Sequence, residues 1–196
     1  MDNEITSYRP LFQQREYIKL VAANVINRFG DSIDAIAFAW LMYEITQSAA
    51  LMALILGLNY LPTVLLQPIT GALVERLSKK RVMILFDIGR GLVVATGVLF
   101  YVRGMLTPAI LTGMTLVIST MEAFRSPAGA AIVPKLLAPE MYKVGTALNQ
   151  SASRVTELAG LAVAGGVVAL IGVEGALLID AATFFLSALI IAFIRL

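Results

Sequence analysis

Apolar residues run along this chain in long blocks, with none of the period-two alternation that marks half-buried strands. Six blocks are predicted as membrane-crossing helices, at about 17–43, 49–74, 82–102, 106–128, 143–171 and 175–195. Each is long enough to cross a hydrocarbon core of about 30 Å at a rise of about 1.5 Å per residue. The connections "EITQS" (44–48), "RGMLT" (103–107) and "GVE" (172–174) are short, while "ERLSKKR" and "PKLLAPEMYK" (134–143) are longer and basic. Residues 1–16 are polar and mixed in charge, with no apolar stretch leading to a small-residue cleavage site, and read as a cytoplasmic segment ahead of a bundle over 17–196. The expected class is an all-α polytopic membrane protein with six transmembrane helices.

Composition agrees with a lipid bilayer as the surrounding partner: 59% of residues are hydrophobic and 14% charged, against about 25% charged in soluble domains. The 196-residue chain contains neither cysteine nor histidine. Thiol nucleophiles, thiolate metal sites, Ser-His triads and zincin helices are therefore excluded. No GxxxxGK[ST] loop occurs, so nucleotide hydrolysis is not supported. Membrane enzymes fare no better: rhomboid-type proteolysis needs histidine, "FGDS" lacks the first glycine of the intramembrane aspartyl protease element, and "DIGR" is not the aspartate-rich motif of CDP-alcohol transferases. No enzymatic activity, cofactor, metal or nucleic-acid partner is expected. Lys and Arg outside the spans fall on one side: Arg9, Arg15, Arg76, Lys79, Lys80, Arg81, Lys135, Lys143 and Arg195, against Arg103 alone on the other. That asymmetry places both termini in the cytoplasm.

Charges inside the spans are the candidate chemistry. Ionised groups within a bilayer cost several kcal/mol unless they are paired or face water, and they mark pathways or structural ion pairs. Arg28 and Asp31, Asp87 and Arg90, Glu122 and Arg125, and Arg154 and Glu157 are each three residues apart, a spacing that makes side chains neighbours on one helix. Each pair neutralises itself, or the four share a polar interior; the recurrence favours the second. Asp34 and Asp180 have no partner at that spacing. Asp180 reads as a helix-start polar group hydrogen-bonded to a neighbouring helix.

"GALVERLSKKRV" resembles the cytoplasmic signature between the second and third helices of the major facilitator superfamily, with Gly71, Glu75 where aspartate is usual, Arg76, and the basic Lys79, Lys80 and Arg81. "NRFGDSIDAIAFAWLMYEITQSA" (27–49), "FRSPAGAAIVPKLLAPE" (124–140) and "LLIDAATFFLSALI" (177–190) resemble the first, fourth and sixth helices of its drug, macrolide and siderophore (enterobactin-type) exporter branch. In the fifth helix Gly160, Gly165 and Gly166 remain as helix-packing glycines, but Leu161 stands where proline is common.

The resemblance implies one half of a transporter, built as two inverted three-helix repeats, with the substrate site between two halves. The partner half is then either a C-terminal six-helix half of the same protein or a second copy in a homodimer. The implied activity is alternating-access export of a small amphipathic molecule such as a drug or siderophore from the plasma membrane, a bacterial inner membrane, by antiport with protons. Proton-coupling candidates are Asp34, Asp31, Glu122 and Glu157, with Asp34 leading if it faces the cavity. The resemblance also implies that 71–81 braces the cytoplasmic side in the outward-facing state, joined by Asp87 and Arg90. The alternative is a six-helix scaffold that binds a partner and transports nothing.

Overall fold

The computed structural model describes residues 10–195; residues 1–9 of the expected cytoplasmic segment, with Arg9, lie outside the described residues. The described residues are helical nearly throughout and contain no strand. A 3-10 turn at Leu11–Gln13 precedes α1 (Arg15–Thr46), α2 (Ala49–Glu75), α3 (Lys79–Val102) and α4 (Pro108–Ala131). Two more such turns, Val133–Lys135 and Pro139–Met141, lead into α5 (Tyr142–Ala192).

Local chemistry sets the breaks. α1 ends where Gln47 turns left-handed (φ 53°), and Ser48 Oγ then accepts from the Leu51 amide at 3.3 Å to start α2. Gly104 (φ 64°) makes the turn after α3, and Thr107 Oγ1 accepts from the Ile110 amide at 3.3 Å to start α4. These caps satisfy amides that a helix start leaves orphaned. Within α5, Gly172 leaves helical space (φ 75°, ψ 170°), a conformation only glycine adopts cheaply. The helix therefore has a first limb over 142–171 and a second limb over 173–192.

By length and apolar composition, three stretches among the described residues are able to cross a membrane: Ala49–Glu75, Lys79–Val102 and Pro139–Ala192. The sequence predicted six. Arg28, Asp31 and Asp34 interrupt the apolar run of α1, and Glu122 and Arg125 that of α4, while the fifth predicted span and all but the last three residues of the sixth fall within α5. At 51 residues and about 1.5 Å per residue, α5 is more than twice as long as a core of about 30 Å is thick.

α1 packs chiefly on α5, α3 on α5 and α4, and α2 on α4. One apolar cluster holds Ile33, Phe38, Leu41, Val94, Leu111 and Phe184; another holds Leu20, Val74, Met83, Ile132 and Ile191. A polar layer lies between them.

Proline ties α2 to α4. Pro62 has no N–H to offer the Leu58 carbonyl, and Ser119 Oγ of α4 donates to Leu58 O (3.5 Å) and Asn59 O (2.6 Å) instead. Pro127 in α4 likewise frees Ala123 O, which accepts from Thr70 Oγ1 of α2 at 2.6 Å. Hydroxyl donors from a neighbouring helix are one way membrane helices tolerate proline. The opposite face of α2 is bare: Val64, Leu65 and Ile69 are 68%, 63% and 68% exposed. Val155 and Leu158 on the first limb of α5 are similarly uncovered.

Candidate functional site

Helical spacing sets Asn24, Asn27, Arg28 and Asp31 on one stripe of α1. This stripe meets α3 and α4 in the polar layer, where four charges close a ring. Arg28 forms an ion pair with Asp31 Oδ2 (3.2 Å) and donates to Glu122 Oε1 (3.0 Å), and Arg90 donates to Glu122 Oε2 (2.8 Å) and to Asp31 Oδ1. The Arg90 guanidinium also lies over the Phe184 ring, 4.1 Å from its centre. Beside the ring, Asp87 accepts from Arg125 Nε (2.9 Å), Asn27 Nδ2 (3.0 Å) and Ser187 Oγ (2.7 Å). Asn27 Oδ1 accepts from Arg90 at 3.4 Å and joins the two groups. Three arginines face three carboxylates, so the cluster is neutral as a whole.

The partners differ from those the spacing suggested. Arg28 pairs with Asp31, and Arg154 with Glu157 at 2.8 Å, each along its own helix. Asp87 and Glu122 instead take arginines from neighbouring helices. The reason is geometric: α3 and α4 both read acid, then base three residues later, and they run antiparallel. Asp87 therefore faces Arg125, and Arg90 faces Glu122.

Two cavities, of about 240 and 330 Å³, open between α1, α2, α4 and the first limb of α5. They share Arg28, Gln67, Ser126, Arg154 and Glu157. Asp31, Arg90 and Glu122 line the first, and Asn24, Arg125 and Asn149 the second. One side of the charged cluster thus borders the cavities, and the mostly exposed Arg154 lines both of them.

Among the carboxyls singled out from the sequence, Asp31, Glu122 and Glu157 reach a cavity. Asp34 does not: it is 2% exposed, behind Asn59, whose Nδ2 donates to Asp34 Oδ1 at 3.4 Å. The expected hydrogen bond from Asp180 to a neighbouring helix is also corrected. Asp180 lies inside the second limb of α5, fully buried, and neither carboxyl oxygen has a partner among the described residues. No group of three or more carboxylates among the described residues is placed to hold a metal.

The basic loop does something its charge did not foretell. Lys80 Nζ donates to Ala192 O (2.8 Å) and Ile194 O (2.7 Å), and Lys19 Nζ to Phe193 O (3.0 Å). These are the orphaned carbonyls at the end of α5, where a cation complements the helix dipole. Glu16 completes the fastening by accepting from the Arg195 amide at 2.7 Å. The Lys19 hydrogen bond and then the Arg195 amide hold its carboxyl below the usual range. Lys79 donates to the Glu75 carbonyl, whereas Glu75, Arg76 and Arg81 are exposed and Gly71 has open space around it.

The three glycines of the fifth predicted span separate. Gly160 packs on α1, since a methyl group there would lie 2.6 Å from Ser32 Cβ. Gly165 and Gly166 are exposed with open space around them, so neither packs against another helix among the described residues. They sit on the outward side of the first limb. Asn27, Ser187 and Thr70 were not anticipated; the steps of three and then four residues from Asn24 through Asn27 to Asp31 are the signal that pointed to the first of them.

Residues 5–196 match a protein family described as transmembrane secretion effector. Over 191 residues the chain is 29% identical to the uncharacterized MFS-type transporter YfiS of Bacillus subtilis strain 168, covering 95% of this chain and 44% of that protein. The uncharacterized MFS-type transporter YkuC of the same strain is 27% identical over 188 residues, 95% of this chain and 43% of its own length. The multidrug efflux pump Tap of Mycobacterium tuberculosis strain H37Rv is 26% identical over 183 residues, 90% of this chain and 43% of the pump. The chain spans less than half the length of these relatives.

Proposed function

We propose that this chain, which belongs to the transmembrane secretion effector family of major facilitator transporters, supplies one half of a secondary active exporter of small amphipathic molecules, drugs or siderophores among them. In this reading α1–α3 form one three-helix repeat, and α4 with the two limbs of α5 forms its inverted counterpart, giving six crossings. Both termini are cytoplasmic, and the bilayer is a bacterial inner membrane.

One observation carries the reading: a neutral cluster of six charges, four buried and two partly buried, opens on one side into cavities bordered by bare apolar faces of α2 and of the first limb of α5. A second six-helix bundle set on those faces encloses the cavities and completes a substrate chamber. It is the C-terminal half of the complete protein or a second copy of this chain. Gly165 and Gly166, on the outward side of the first limb, then allow that bundle to approach closely. The efflux activity in Tap's name supports export as the direction.

Alternating access follows if the two bundles rock about this chamber. Proton antiport supplies the energy: Asp31, Glu122 and Glu157 touch the cavity, and Asp34 lies one side chain behind it. Neutralising one of these carboxyls weakens its hold on an arginine and shifts the balance between closed and open arrangements.

The complete protein in proteoliposomes, with ethidium as the amphipathic probe and an imposed ΔpH, tests this directly. Dye movement that follows ΔpH and stops with a protonophore is expected. A scaffold gives no flux at any ΔpH, and that result overturns the proposal.

A further inference from the structure

Asp180, like Asp34, is a buried acid that the cluster leaves out. The three arginines and three carboxylates cancel, yet Asp180 is 0% exposed with both carboxyl oxygens unpartnered. Its site is shaped by glycine: a methyl group at Gly30 of α1 would lie 2.6 Å from Asp180 Oδ1 and would collide with Thr183 Oγ1. The Thr183 hydroxyl donates to the Asp180 backbone carbonyl at 2.7 Å, so it does not serve the carboxyl. The charged groups around the carboxyl are Asp34 and Asp31 from α1 and Arg90 from α3. Glu122 of α4 holds Arg90 from the far side.

Arg90 has a matching vacancy. Its terminal nitrogens serve Asp31, Glu122 and Asn27, while Nε is buried without a partner. The guanidinium rests on Phe184, one turn beyond Asp180 and on the same face of the second limb. A buried acceptor is therefore one helical turn along the second limb from the ring on which a guanidinium with a buried, unused donor rests. Arg90 is also free to leave, because Arg28 still holds both Asp31 and Glu122 when it does.

We propose that Asp180 is a proton-carrying alternate partner of Arg90: it holds a proton while Arg90 closes the ring, and gives it up when Arg90 turns to it. The Asp180 O–H bond breaks, its proton passes to water, and N–H···O contacts from Arg90 replace it. In the reverse step water returns the proton and Arg90 goes back to Asp31. The inference rests on the exporter reading for its use, since it links one proton to a rearrangement of α1, α3 and the second limb of α5. Its detection does not depend on transport.

The test is infrared spectroscopy of this chain in lipid nanodiscs, with aspartate carbon-13 labelled at the side-chain carboxyl. At neutral pH a labelled carboxylic-acid band is expected that disappears in Asp180→Asn and returns, unlabelled, in Asp180→Glu, which also shows that the fold survives. In an Arg90→Gln background, the part of the band that Asp180→Asn removes persists to an alkaline pH at which the wild type has lost it. A band unchanged by Asp180→Asn overturns the assignment, and so does the same pH dependence with and without Arg90. Loss of the assignment leaves ethidium export untouched. Absent export with the band behaving as described sinks the exporter reading alone.

Discussion

Removing Asp87 strands a cation. Its carboxylate is fully buried and accepts from Arg125, Asn27 and Ser187. In Asp87→Ala, Arg125 stays 3% exposed with only a 3.4 Å contact to Ser187. An uncompensated buried charge of this kind costs about 3–5 kcal/mol. Arg125→Ala costs toward the lower end of that range, about 3 kcal/mol, because Asp87 retains two donors. The double variant removes both charges and loses mainly packing and hydrogen bonds. It should therefore be less destabilised than the sum of the singles by about 2–4 kcal/mol. Equilibrium unfolding in mixed detergent micelles, followed by helical circular dichroism and by the fluorescence of Trp40, the sole tryptophan, measures all three. Additivity within about 0.5 kcal/mol would show that Asp87 and Arg125 do not act as a pair.

The glycines give a contrast. Gly160→Ala drives a methyl group to 2.6 Å from Ser32 Cβ and is expected to cost about 1–3 kcal/mol, whereas Gly165→Ala meets open space and should stay within about 0.5 kcal/mol in the same unfolding assay. An equal loss at both would remove the packing role from Gly160. Lys80→Met uncaps the end of α5, with an expected loss of about 0.3–1 kcal/mol and faster amide exchange at 193–195; unchanged exchange would refute the cap. Because the Glu16 carboxyl is held low in the folded chain, its bond to the Arg195 amide persists at and above the ordinary carboxylate range and is lost only as pH falls through that lowered value. The Arg195 amide proton shift should titrate below a free glutamate, and titration at or above the free value contradicts the fastening.

The helical class and the places where the chain turns were legible because long apolar runs and polar breaks are properties of the sequence alone. Membrane-crossing character was not equally legible in every helix. The acids and bases that make α1 and α4 chemically interesting are the same residues that dilute their apolar runs. Pairing was hidden for a different reason. The three-residue spacing that joins Arg28 to Asp31 is equally present between Asp87 and Arg90, and only the packing of α3 on α4 shows that the latter two turn away from each other. Asp180 could not be read either, since a carboxyl without a partner looks the same in sequence as one whose partner lies on another helix.

The order of charges along α3 and α4 still holds information that spacing does not. Two helices that each read acid then base match every acid with a base only when they run antiparallel; side by side in parallel they would set acid against acid and base against base. Here the match is complete, and α1 adds Arg28 and Asp31 to the Arg90–Glu122 end, which faces the first cavity. Glu122 and Asp31 consequently hold two arginines each, whereas Asp87 holds one. The Arg90–Glu122 end of the cluster is able to release an arginine without stranding a carboxylate, and the Asp87–Arg125 end is not. In the proposed transport cycle, rearrangement therefore belongs to the ring around Arg90, with the Asp87–Arg125 pair, braced by Asn27 and Ser187, as the fixed point.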